Sequence, residues 1–200
     1  YYFKYVYGNE ETYAIFALVL GVSQIAALAV FPILRKFIKR SRIYSLATLL
    51  IVIGYILFFI APPGKIAVIA IAGILLFVGE GWIQVMMLMF IADCVEYGEW
   101  KLGHRNDSIT LSLQPFINKL GAAIASGIVG STVILSGMKA ARGPEDMTAS
   151  GLLFFKCAMM ILPLLMIVVS YLIYRRFYRI DESFYGRIVR ELAERKKGRD

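Results

Sequence analysis

The sequence predicts an all-α polytopic membrane protein, and three observations carry that class. Hydrophobic residues make up 59% of the 200 residues and charged ones only 18%, against about 45–50% and ~25% in soluble domains. Five apolar runs are each long enough for the ~20 residues that a spanning helix needs. The basic residues gather in the breaks between those runs, as topology signals do. A chain of this size has too little interior to hide so much apolar surface. A soluble enzyme, a disordered tail and a disulfide-stapled secreted domain are therefore disfavoured.

The elements follow in order. Residues 1–7, Tyr-Tyr-Phe-Lys-Tyr-Val-Tyr, read as the aromatic-belt end of a sixth, truncated span. Full spans are expected at about 12–34, 43–61, 66–92, 109–137 and 152–174, so that residues 1–174 form a transmembrane bundle. Short breaks carry turn signals, Pro62-Pro63-Gly64 and Gly143-Pro144 among them. The chain opens at Tyr1 with neither an initiator methionine nor a signal-peptide pattern and reads as a fragment.

Loop charge orients the array. Arg35, Lys36, Lys39, Arg40 and Arg42 follow the first full span, Lys101 and Arg105 lie in 93–108, and nine basic residues fall between Arg175 and Arg199. These segments alternate with breaks poorer in basic residues and belong on the cytoplasmic side of the membrane, with the C-terminus. Residues 175–200 form a basic tail. After Asp181, a candidate N-cap, Phe184, Ile188 and Leu192 recur at helical spacing. That pattern suggests an amphipathic helix on the inner membrane surface; a solvated basic tail is the plainer reading.

The net charge of +8 does not point to nucleic acid, because no soluble face interleaves aromatic and basic residues. Cys94 and Cys157 lie in or beside apolar runs, and His104 is the only histidine. Neither a metal site nor a disulfide framework is expected.

Charges inside spans are expensive in hydrocarbon and are the default functional candidates. Lys119 lies about ten residues into its span, ~15 Å deep at 1.5 Å per residue. It needs a carboxylate, a carbonyl or a wet cavity; the plainer reading is a lysine that ties two helices together. Ser112, Gln114 and Asn118 bring hydrogen-bonding groups to the same stretch, and Pro115 leaves the Leu111 carbonyl without its helical donor. Interrupted helices near the midplane are where secondary transporters place substrate and ion sites. Glu80, between Gly79 and Gly81, lies ~19 Å from the same membrane face. The matching depths suggest that Glu80 pairs with Lys119, directly or through water or a ligand.

A third group closes the 66–92 span. Asp93, Glu96 and Trp100 share one helical face, and Arg105 follows across a short turn. Carboxylates and a guanidinium so placed suit an ion-pair gate at the cytoplasmic mouth; a solvated loop is the alternative. Small residues from Gly121 to Ser131 give the 109–137 span a smooth face for close packing. No phosphate loop, nucleophile elbow or zincin motif is present. No cofactor and no enzymatic activity are expected.

Three stretches, ADCVEYGEW with the following KLGHR (92–105), SLQPFINKLG (112–121) and FYRIDESFYGRIVREL (177–192), resemble the glycoside-pentoside-hexuronide:cation symporter family, the melibiose-permease-like branch of the major facilitator superfamily. The resemblance runs the length of the chain and implies the C-terminal six-helix half of a major-facilitator fold, its first helix truncated. It implies alternating-access uptake of a sugar or glycoside driven by Na⁺ or H⁺, with the absent N-terminal half of the same transporter as partner. By the same resemblance, Lys119 lies beside the cation and sugar sites with Gln114 one turn earlier, and Asp93, Glu96 and Arg105 lock the cytoplasmic side. Asn118 and Glu80 join the candidate substrate and coupling residues on depth and chemistry alone. Two other classes stay open: a transporter-like sugar sensor or scaffold, and an intramembrane enzyme using Asp93 and Glu96.

Overall fold

The computed structural model describes residues 1–9, 11–62, 65–105 and 107–197. Pro63 and Gly64 of the expected turn and residues 198–200 of the expected tail lie outside the described residues. Each apolar run becomes a helix, since only a helix satisfies its own backbone in hydrocarbon. These are α1 (Thr12–Phe37), α2 (Arg40–Ile60), α3 (Ile66–Leu102), α4 (Asp107–Leu135) and α5 (Ala149–Phe177), all long and apolar enough to cross a membrane. A sixth helix, α6 (Glu182–Lys197), follows. Residues Tyr2–Tyr7 form one wide helical turn that buries Phe3 and Tyr5.

The helix ends differ from the apolar runs for local reasons. α3 continues ten residues past the expected boundary at 92, because Gly98 keeps a helical backbone and the first left-handed glycine after it is Gly103. There the backbone turns to φ +75° and the Gly103 N–H donates to Glu99 O at 2.9 Å; a left-handed glycine is the usual way to end a helix. In α5, a wider turn at Cys157–Ile161 precedes Pro163. The proline nitrogen cannot donate to Met159 O, and widening the turn accommodates that gap.

The core lies between α1, α2 and α3. Gly79 of α3 is so close to α2 that a Cβ there would sit 2.6 Å from Ile51 Cγ1 and 2.7 Å from Ala47 O. Trp82 of α3 donates its indole N–H to Ala27 O of α1 at 3.0 Å. With no hydrophobic force to join helices inside lipid, small residues and such hydrogen bonds hold them together. A run of rings then ties in α5: Tyr44 contacts Tyr174 (centroids 4.3 Å), Tyr174 contacts Phe90 (5.1 Å), and Phe90 contacts Tyr178 (4.6 Å).

α4 is the exception. Its buried residues are Thr132 and Val133, both near its C-terminal end, and a Cβ at Gly121, Gly127 or Gly130 would meet nothing within 4 Å. The smooth face expected to pack closely finds no partner among the described residues.

Candidate functional site

The three basic segments converge at one end of the bundle, and a buried carboxylate organises them. Asp93, on the third-helix stretch that leaves the apolar run, is only 2% exposed. An ionised carboxylate taken from water must be paired and hydrogen-bonded. Arg40, the first residue of α2, meets that need, with Nη1 at 2.9 Å from Oδ1 and 2.8 Å from Oδ2. The Tyr178 hydroxyl, one residue past α5, donates to Oδ2 at 2.9 Å. Burial and its bond to Asp93 push the Tyr178 phenol well above the ordinary tyrosine value.

Arg40 also reaches α6. Its backbone N–H donates to Glu182 Oε1 at 2.9 Å, and its guanidinium lies over the Tyr185 ring, 4.9 Å from the centroid. Glu96, one helical turn from Asp93, has a buried Oε2 with no hydrogen-bond partner. Burial and that carboxylate raise the Tyr185 phenol to about 12.

The tail helix is docked on protein. Asp181 caps α6, accepting from Phe184 N–H and Ser183 Oγ, each at 2.7 Å; these bonds hold its carboxyl below the ordinary aspartate value. Ile188 and Leu192 are buried, while Phe184 contacts the rings of Tyr97 and Trp100. Trp100 Nε1 donates to Glu191 Oε2 at 2.6 Å, and Arg195 Nη1 donates to Trp100 O at 2.9 Å. The 184/188/192 period turns toward α3, and not to the inner membrane surface or the solvent that the sequence leaves open.

Asp93, Glu96 and Arg105 do not form one ion-pair cluster. Arg105 lies twelve residues after Asp93, in the next connection, where it bonds Asp107 (2.7 Å) and Glu99 (3.0 Å) and closes the α3–α4 turn. Two neighbouring networks replace the expected single gate: Arg40–Asp93–Tyr178 inside, and Glu99–Arg105–Asp107 at the surface. His104 is exposed beside Leu102 O.

The intramembrane candidates stand apart from both networks. Gln114 is half-buried, and Asn118 and Lys119 are exposed on α4. Glu80 is exposed on α3. Among the described residues no ion pair joins Glu80 to Lys119, so matched depth alone does not bring them together. Sequence reasoning also missed Arg40, Tyr178 and Tyr185. Arg40 was one of five similar residues in its loop, and both tyrosines lay in a quoted motif without a role.

Residues 1–182 match the model of a family described as MFS/sugar transport protein. The chain is 32% identical over 192 residues to the raffinose carrier protein of Pediococcus pentosaceus, covering 96% of this chain and 30% of that protein. It is 29% identical over 192 residues to the lactose permease of Lactobacillus delbrueckii subsp. bulgaricus, covering 96% of this chain and 30% of that one. To the glucuronide carrier protein homolog of Escherichia coli (strain K12) it is 27% identical over 198 residues, covering 98% of this chain and 42% of that protein. The chain thus spans less than half the length of these relatives.

Proposed function

This chain belongs to the MFS/sugar transport protein family, and from that premise we propose that it supplies the carboxy-terminal helices of a plasma-membrane carrier. The carrier takes up a sugar or glycoside by alternating access, coupled to Na⁺ or H⁺, with its C-terminus in the cytoplasm. The observation that carries this reading is α4. It has the length and apolarity of a membrane span, yet Asn118 and Lys119 are exposed on it and its small-residue face meets nothing. An ammonium at that depth costs at least ~2.5–3.5 kcal/mol against lipid. Water, a polar substrate and a further set of helices from the same carrier are the surroundings that relieve this cost.

In this reading Gln114 and Asn118 hydrogen-bond sugar hydroxyls. Lys119 balances carboxylates across the cavity whose charge changes with cation occupancy, and that differential interaction couples ion to sugar. Glu80 is a second intramembrane charge, acting separately from Lys119 on coupling. Asp93, held by Arg40 and Tyr178, closes the inner mouth with Glu96 beside it, and Arg105 fixes the α3–α4 turn.

The test uses the protein expressed from its complete coding sequence in vesicles. Uptake of labelled raffinose, lactose and glucuronides is followed under an imposed Na⁺ or H⁺ gradient. Concentrative uptake driven by one ion, reduced but measurable in Lys119→Ala, is the expected result. Binding without accumulation by folded protein would move the chain to the sensor class.

A further inference from the structure

A cavity of about 350 Å³ opens between the start of α2 and the α5–α6 connection. Three cations line it: Lys39, Arg175 and Arg179. All three are exposed, and none makes an ion pair among the described residues. Arg40 also lines the cavity, but its guanidinium is committed to Asp93. Two carboxylates share the rim. Asp181 accepts from Phe184 N–H and Ser183 Oγ, and Glu182 accepts the Arg40 N–H that begins α2. One oxygen of each is committed, Asp181 Oδ1 to Phe184 N–H and Ser183 Oγ and Glu182 Oε1 to the Arg40 N–H, and the three cations outnumber the two carboxylates at the rim.

The rest of the wall joins the rings of Phe90, Tyr174 and Tyr178 to Ile180, Ser41 and Ser183. The neighbouring turns of α5 expose Leu172, Ile173 and Phe177 at 58%, 54% and 72%. The cavity thus lies where an apolar helix surface gives way to basic residues, which is the geometry of a membrane interface. A soluble anion needs the cations only. The adjoining apolar surface suits an anion that carries hydrocarbon.

We propose that this cavity binds the phosphate of an anionic phospholipid, with Lys39, Arg175 and Arg179 around the headgroup and the first acyl carbons against Phe90, Tyr174 and the outer face of α5. Basic pockets at helix ends bind such headgroups, each cation near the surface contributing about a fivefold gain in affinity. Because α2, α3, α5 and α6 all meet at this cavity, the lipid would bridge the tail helix to the bundle. The inference goes beyond the transport reading and requires only that this end of the bundle sit at a membrane face.

Native mass spectrometry of the whole protein in detergent tests it, titrating phosphatidylglycerol, phosphatidylcholine or inorganic phosphate without any ion gradient. One saturable phosphatidylglycerol site is expected, with phosphatidylcholine weaker and inorganic phosphate a poor competitor. Lys39→Gln/Arg179→Gln is expected to lower phosphatidylglycerol affinity about 25-fold. Arg187→Gln/Arg190→Gln removes equal charge outside the cavity and is expected to change it less than about twofold. The charge-conserving Lys39→Arg/Arg179→Lys variant is expected to retain binding, separating lost recognition from lost folding. Equal loss in the two neutralised pairs overturns the site, as does loss of binding in the folded charge-conserving variant. Inorganic phosphate binding as tightly as phosphatidylglycerol overturns the lipid as its source.

Discussion

Arg40 and Asp93, 53 positions apart in sequence, are joined through a single guanidinium nitrogen lying 2.9 and 2.8 Å from the two carboxylate oxygens. Their side chains are only 14% and 3% exposed. In such a site the pair's attraction roughly offsets desolvation, while removing one partner strands the other. Asp93→Leu is therefore expected to cost about 3–5 kcal/mol in denaturant unfolding of the detergent-solubilised protein. Arg40→Met/Asp93→Leu is expected to be more stable than Asp93→Leu alone. A double variant no better than the single one would show that the carboxylate serves Tyr178 and not Arg40.

Tyr178 supplies the third bond to that carboxylate, at 2.9 Å. Tyr178→Phe keeps the ring against Phe90 and removes only the hydroxyl. A hydrogen bond to a charged group contributes about 1.5–3 kcal/mol, and a loss in that range is expected in the same unfolding measurement.

How much of this end could be read from the sequence depends on range. The apolar runs gave α1, α2, α4 and α5 to within a few residues, because a span is a local property of composition. α3 outran its apolar run because hydropathy marks where lipid ends, whereas a helix ends at a breaker, here Gly103. The period of Phe184, Ile188 and Leu192 marked an amphipathic helix but not what its apolar face meets. Arg40 was indistinguishable from Lys39 or Arg42 until the fold set it over Asp93. Lys119 was found from depth alone, yet depth says nothing about rotation, and Glu80 at similar depth makes no ion pair with it in this structure.

The docked tail carries a pH signature. Tyr185 lies beneath Arg40 and beside Glu96, and its phenol is raised to about 12 from an unfolded value of about 10. The folded state then binds more protons than the unfolded state between those values. The contribution is fully present below pH ~10 and is lost as pH rises through ~12. Fluorescence of Trp100, the α3 side of the dock, is expected to report α6 loosening over that window. Tyr185→Phe, which has no proton to lose, is expected to flatten the change attributable to residue 185. An unchanged alkaline transition in that variant would assign it to another group.

Two glycines on α3 separate packing from propensity. At Gly79 a Cβ would meet Ile51 Cγ1 at 2.6 Å and Ala47 O at 2.7 Å, whereas at Gly98 it would meet nothing within 4 Å. Gly79→Ala forces the second and third helices apart and is expected to cost about 1–3 kcal/mol. Gly98→Ala is expected to gain about 0.5–1 kcal/mol, since glycine in a helix interior pays backbone entropy that alanine does not. Thermal unfolding of both variants checks the opposite signs.

The remaining prediction concerns Glu80 and Lys119, two intramembrane charges of similar depth that make no ion pair with each other. Were they partners, neutralising both would relieve the penalty of neutralising one, because no stranded charge would remain. With Lys119 exposed on a stretch of α4 whose small residues meet nothing among the described residues, its counter-charge is expected on helices outside these residues. Glu80→Gln and Lys119→Gln should then act independently on gradient-driven uptake by the whole protein. The double variant is expected to show the sum of the two single effects within about 0.3–0.5 kcal/mol. Activity in the double variant above that of Lys119→Gln alone would mean that the two charges meet in another conformation of the transport cycle, and α4 would then have to close on α3 to bring them together.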